Sequence, residues 1–308
     1  MIKVNRVFVC SFLALMVLLG FSLGAVAVAQ EEKPAVAVEA EARPTLSASY
    51  TFYSQYIWRG YELSKDSLVM FPSITISYKG FGLNIWGDYD THYEGTGHKE
   101  WWETDFVFTY SNSLGNIPRI GDKWDKLKNF NYTIGYIYYD TNSDNITNIT
   151  QIRRADGTVI KEKSSTFGGG DSEEIYAILS YAMFSNPTVS VWRQIESGEE
   201  WYVNFALSQN FPFPVKCPWA QDWTIDAGAW ISYMNRSGNY YKSDYSAMHD
   251  ANLWVALNIP LNKYFTLSPT INYSAPLSNN AKQELEASSF SGHASRFLYG
   301  GLIVKLAF

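Results

Sequence analysis

Beyond its first thirty residues the sequence has no apolar run approaching the roughly 20 residues that a membrane-spanning helix needs. It also has no amphipathic helical pattern. Any membrane span must then be built from strands, because only helices and closed barrels satisfy every backbone group in lipid. Cysteine is nearly missing. Of the two, Cys10 falls in the apolar N-terminal run, which leaves Cys217 alone in the rest of the chain and excludes a disulfide scaffold. Cys217 has no neighbours of the kind that activate a thiolate. Basic residues, 24 against 30 acidic ones, are in deficit, which argues against a nucleic-acid partner. The four histidines, His92, His98, His249 and His293, are scattered, with no pair at ligand spacing. Neither a metal nor another cofactor is expected.

What is present begins with an export signature. Lys3 and Arg6 precede the apolar run 7–29, and Ala27-Val28-Ala29 before Gln30 reads as a small-residue cleavage site, so residues 1–29 are expected to be a signal peptide. Residues 30–44, QEEKPAVAVEAEARP, carry charge, Pro and Ala without a strand period and read as a disordered periplasmic leader. The remainder, 45–308, holds most of the 22 Tyr, 18 Phe and 11 Trp, while the mean hydropathy is slightly negative. Many aromatics without long apolar runs are the composition of a girdled barrel.

The last twelve residues set the pattern. Leu298, Leu302, Val304, Leu306 and Phe308 share one parity, with Lys305 on the other, so one face of a terminal strand is apolar. A final strand ending in Phe resembles the assembly signal of bacterial outer-membrane barrels, which implies that the barrel-assembly machinery reads Phe308. Eleven further alternating segments precede it, at 46–58, 68–78, 83–91, 102–110, 130–138, 175–183, 188–194, 201–207, 223–233, 252–259 and 265–273. The fold expected is all-β, a transmembrane antiparallel up-and-down β-barrel of about 12 strands, with ten or fourteen still open. It would sit in the cell outer membrane with lipid as a partner. An even count puts both termini on the periplasmic side, and the longest polar insertion, 140–171, then falls outside the cell. Asp88, Asp105 and Asp226 take the inward parity. Arg193 falls on the outward one with Val189 and Val191, at a rim or beside a bulge.

Ser54-Gln55-Tyr56-Ile57-Trp58-Arg59-Gly60 resembles the S-x-Y-[VI]-[FW]-R-G signature of the TorF-like family of outer-membrane porins, whereas Tyr61, Glu62 and Leu63 depart from it. The resemblance implies a porin. Read physically, Tyr56 and Trp58 suit an interfacial girdle, Arg59 points inward at the rim, and Gly60 releases the strand into its turn.

One constellation stands out. Trp86, Asp88, Asp90 and His92 share the inward parity of the third segment, and Glu103 and Asp105 that of the fourth. A hairpin symmetric about residues 96 and 97 sets Asp88 against Asp105 and Asp90 against Glu103. Like charges face to face need a partner: Arg59, a bound ion, or water and permeating ions. These residues are the candidate channel lining. The function expected is an outer-membrane channel, a porin for passive or weakly cation-selective diffusion of small polar solutes. The alternatives are a lumen-closed structural, adhesive or receptor barrel acting through 140–171, and an outer-membrane hydrolase. The last is disfavoured because His293 with Ser289 or Ser291 only imitates a catalytic pair, and no enzymatic role is expected.

Overall fold

The computed structural model describes residues 43–92, 100–117, 125–141, 146–153, 159–167, 171–196, 200–215, 217–237, 244–290 and 294–308. The segment read as signal peptide and the leader up to residue 42, together with His98, Ser291 and His293, lie outside the described residues. In chain order the strands are β1 (Thr45–Tyr53), β2 (Ile57–Trp58), β3 (Tyr61–Glu62), β4 (Val69–Tyr78), β5 (Phe81–Asp90), β6 (Trp101–Ser113), β7 (Phe130–Thr141) and β8 (Ile146–Arg153). They continue as β9 (Val159–Phe167), β10 (Ser172–Tyr181), β11 (Thr188–Gln194), β12 (Glu200–Pro212), β13 (Thr224–Arg236), β14 (Tyr245–Pro260), β15 (Phe265–Pro276) and β16 (Phe297–Ala307). Among the described residues there is one α-helix, α1 (Asn279–Ser288), which joins β15 to β16.

Twelve of these strands close into a single antiparallel barrel whose wall follows chain order, with β2–β3 and β8–β9 as separate two-stranded hairpins. The expected strand number is therefore the observed one. Three details differ from the sequence reading. The first wall strand ends at Tyr53, because the chain leaves the wall where the signature begins. The 140–171 insertion holds the β8–β9 hairpin instead of irregular loop. The last connection contains α1, a short helix with little periodic signal, since only Ala281 and Leu285 mark its buried face. Among the described residues no helix is long and apolar enough to cross a membrane.

Alternation explains the wall. On β4, Ile74 and Ile76 are exposed whereas Phe71 and Thr75 are buried, and Leu83, Phe108, Ile134, Leu179, Phe205, Ile231 and Leu253 continue the exposed apolar band around the barrel. An apolar exterior on a closed sheet has no protein partner to cover it, and lipid is the solvent that fits. Aromatic residues edge the band. Tyr78, Phe81, Phe211, Tyr264, Phe265 and Phe308 lie exposed at the end with the tight turns, and Trp101, Trp201 and Tyr233 at the other. Arg193 keeps its outward parity without a register shift in β11, and its guanidinium lies 5.0 Å from the Trp201 ring centroid at the loop-side rim.

The seam closes through the termini of the described chain. β1 pairs with β16 from Ser47 opposite Ala307 to Tyr53 opposite Gly301. Phe308 N–H donates to the Leu46 carbonyl at 2.9 Å, and the Phe308 ring stacks on Tyr264 at 5.6 Å. At the same end Cys217 is buried with Phe213, Ala220 and Leu257.

Candidate functional site

Residues 54–68 do not form a loop above the rim. They fold into the lumen, carrying the β2–β3 hairpin, whose two-residue tip is Arg59-Gly60 between paired Trp58 and Tyr61. Both tip residues have positive φ, 48° for Arg59 and 79° for Gly60, as a tight primed hairpin turn requires. Glycine takes this geometry freely, but for arginine it costs about 1–3 kcal/mol. Something must hold the tip there.

The far wall holds it. β11 stands opposite β1 in the strand order, flanked by β10 and β12. Arg59 reaches these strands: its Nη1 and Nη2 donate to Glu174 of β10 at 2.8 and 2.7 Å, and Nη1 lies 3.4 Å from Glu200 of β12. Tyr139 Oη donates to the same Glu174 at 2.9 Å. The guanidinium lies 4.4 Å from the Trp58 ring centroid, 4.6 Å from Tyr202 and 5.7 Å from Trp192. Burial alone would lower the Arg59 pKa, but the Glu174 carboxylate outweighs it and holds the group above its ordinary range, so it stays charged. The reach is consistent with the barrel's width. Twelve strands about 4.8 Å apart and tilted about 40° give a backbone diameter of roughly 24 Å. The chain from Tyr53 to Arg59 extends about 20 Å at most, and the arginine side chain covers the rest.

A bulge supplies the seat for the tip. Successive strand residues point to opposite faces, yet His249 and Asp250 are both fully buried in the lumen, because the β13–β14 register shifts beside Ser232. His249 Nε2 donates to the Arg59 carbonyl at 2.9 Å, and Nδ1 lies 2.7 Å from Tyr245 Oη, an arrangement that a neutral imidazole satisfies at both nitrogens. Asp250 accepts from Tyr202 Oη at 2.9 Å and Trp230 Nε1 at 3.3 Å, with Ser232 and Asn252 completing its ligand set.

The last connection covers the hairpin from the other side. Arg236 donates to Glu284 of α1 at 2.7 Å and to Tyr61 Oη at 3.0 Å. Ser289 and Gln55 both donate to Glu62, and the Leu285 side chain abuts Gly60. These contacts, with the aromatic cluster of Tyr53, Tyr56, Phe71, Phe297 and Tyr299, make residues 54–68 a packed plug.

The girdle roles expected of Tyr56 and Trp58 are thereby corrected: Tyr56 is buried among Phe71 and Trp86, and Trp58 packs on Tyr139 inside the lumen. Of the channel-lining candidates, Arg59, Trp86, Asp88, Asp90, Glu103 and Asp105 all point inward. Their register differs from the symmetric hairpin. Asp88 opposes Glu103 and Trp86 opposes Asp105, with a shift between Asp88 and Tyr89 that absorbs the extra residue. His92 does not reach the wall. It lies past the end of β5 in an exposed turn, where its backbone N–H donates to Asp90 Oδ1 at 2.9 Å.

The acids sit behind the plug. Tyr56 Oη donates to Glu103 Oε2 at 3.3 Å, Trp86 stacks on Phe71 at 5.0 Å, and Asp88 Oδ1 and Asp105 Oδ1 have no hydrogen-bond partner among the described residues. Burial keeps the Tyr56 hydroxyl protonated by raising its pKa, and Glu103 beside it acts in the same direction. No group of three His, Cys, Asp or Glu side chains among the described residues is arranged to hold a metal. Below the plug, toward the turns, the lining changes to small polar side chains. Asn84 donates to Ser73 at 2.7 Å and Thr75 at 2.8 Å, Ser111 meets Thr133 at 2.8 Å, and Asn210 and Asn258 both donate to Asp226 at 2.6 and 2.8 Å.

Glu174, Glu200, Trp192, Tyr202, His249 and Asp250 were not singled out by sequence reasoning. Glu174 shares the inward parity of Tyr176 and Ile178, a signal that was available. His249 and Asp250 fall in what reads as a polar loop, and no pattern in the sequence announces the bulge.

No protein-family model matches the chain, and no curated protein does. Among solved structures, an outer-membrane channel from Pseudomonas putida F1 is 9% identical, with 92% of this chain and 100% of that one covered at a TM-score of 0.42. OprB of the same species is 10% identical over 81% of this chain and 61% of that one, at a TM-score of 0.32. OmpF of Salmonella typhi is 7% identical over 86% and 97%, at 0.36. Resemblance this distant carries nothing about solute or partner. The closed twelve-stranded sheet and its apolar, aromatic-edged exterior are what make the chain a transmembrane barrel of the outer-membrane type.

Proposed function

We propose that the chain is an outer-membrane channel for passive diffusion of small polar solutes, shut at its loop end by residues 54–68 in the conformation described. The observation that carries this reading is the way the plug is fastened. A barrel closed for purely structural reasons is best filled with apolar side chains, since replacing buried ion pairs by packed hydrophobics is often neutral or stabilising. Here the tip is held by one arginine on two glutamates and by a histidine on a backbone carbonyl. Such contacts are exchangeable for water. The Ser, Thr and Asn lining toward the turns is likewise wettable. The same plug also favours the second reading, a permanently closed structural or receptor barrel, and conductance separates the two.

Loss of one partner from a buried, hydrogen-bonded pair costs about 3–5 kcal/mol, enough to unseat a hairpin that has water as its alternative. In planar bilayers the wild-type protein should show rare, brief openings, and Arg59→Ala should show stable conductance steps. A variant with residues 55–63 replaced by a short glycine-serine linker should do the same. Silence of all three proteins, with insertion verified, would overturn the channel in favour of the closed barrel.

A further inference from the structure

Resting on the reading of residues 54–68 as a removable plug, we propose that the pocket now filled by Arg59 is a binding site for small guanidinium compounds, and that these are among the solutes the channel takes. Arg59 is the pocket's own occupant, and it displays what the pocket recognises. Glu174 engages the guanidinium edge with both carboxylate oxygens, at 2.7 and 2.8 Å, and Glu200 approaches at 3.4 Å. Tyr202 and Trp192 offer ring faces at 4.6 and 5.7 Å. Tyr139 fixes the Glu174 carboxylate through its hydroxyl at 2.9 Å.

All of these groups belong to the wall strands β7, β10, β11 and β12, and only Trp58 travels with the hairpin. Withdrawal of the plug therefore leaves the recognition geometry standing. It also removes the cation that Glu174 pairs with. Arg236 of β13 stands directly opposite Glu200 and also pairs with Glu284 at 2.7 Å, so Glu174 is the carboxylate for which a mobile cation is the natural replacement. A planar fork fits a bidentate carboxylate and stacks on aromatic faces, whereas an ammonium offers only a point charge. Free guanidinium solutes would compete with Arg59 for the pocket and thereby hold the plug out.

The test uses the detergent-folded full chain, with folding verified by heat-modifiable gel mobility and guanidinium chloride as the probe at millimolar concentration. Calorimetric titration of Arg59→Ala should show guanidinium binding about tenfold tighter than methylammonium. Wild-type protein should show much weaker binding, its pocket being filled, and Arg59→Ala/Glu174→Gln should lose it. Arg59→Gln, which keeps a polar tip, replaces Arg59→Ala if the latter fails to fold. Equal affinity for methylammonium would overturn guanidinium recognition, and undiminished binding in the Glu174→Gln double variant would overturn the pocket. A folded Arg59→Ala that conducts but does not bind guanidinium refutes this inference and leaves the channel standing. Binding by a barrel that never conducts refutes the channel, and with it the passage of guanidinium solutes, and leaves the pocket standing.

Discussion

At the scale of single residues, Gly60 has little freedom to change. Its φ of 79° lies in the left-handed region, and a Cβ added there would come within 3.1 Å of Leu285 and 3.2 Å of Asp250. Alanine at this φ costs about 1–2 kcal/mol before any steric contact. Because the residue touches only the plug's surroundings, the penalty falls on the seated hairpin and leaves the wall intact. Gly60→Ala should raise open probability in bilayers about tenfold, the factor that corresponds to about 1.4 kcal/mol, with unchanged heat-modifiable mobility. Wild-type gating in that variant would mean the tip tolerates the methyl group and is not held against Leu285 and Asp250.

At the scale of elements, the β5–β6 wall and the hairpin set each other's electrostatics. Asp88 opposes Glu103 directly, and opposed like charges are unfavourable unless something compensates them. With the plug seated, Tyr56 covers this wall. Once the plug withdraws, Asp88, Glu103 and Asp105 would face the ion path in low-dielectric surroundings and favour cations. The expectation is conditional on opening. In an Arg59→Ala background, adding Asp88→Asn and Asp105→Asn should move the reversal potential in a salt gradient toward the anion side, with a shift that shrinks at higher ionic strength. An unmoved reversal potential in a conducting triple variant would show that these carboxylates stay packed away from the path.

At the scale of the whole molecule, closure depends on the last residues. Phe308 exchanges backbone hydrogen bonds with Leu46 and stacks on Tyr264, so it finishes the β1–β16 seam and the turn-side girdle together. The residue is 64% exposed on the barrel's exterior. Deleting Phe308 should lower the fraction of folded, heat-modifiable protein in the outer membrane while export continues at the wild-type level. Full folding of the truncated chain would remove the assembly role and reduce Phe308 to a girdle residue.

The sequence by itself determined the wall. Period-two alternation and the scarcity of outward charge point to about twelve strands and set their faces, because the side chain's direction in a strand follows from its position alone, and closure of the barrel decides the number. The 188–194 segment is recovered residue for residue as β11, and Leu298 and Phe308 lie outward as their parity requires. What parity cannot express was decided by the tertiary structure. The signature residues 54–60 alternate like a strand, yet they leave the wall after Tyr53. Tyr56 gains more from Phe71, Trp86 and Glu103 on the near wall than from lipid, and Trp58 and Arg59 gain more from an acidic, aromatic pocket on the far strands. That pocket joins Tyr139, Glu174, Trp192 and Glu200, residues remote from Arg59 in sequence, and needs a bulge at His249–Asp250 to seat the tip. Contacts across a lumen have no period along the chain, so only the closed barrel brings them together.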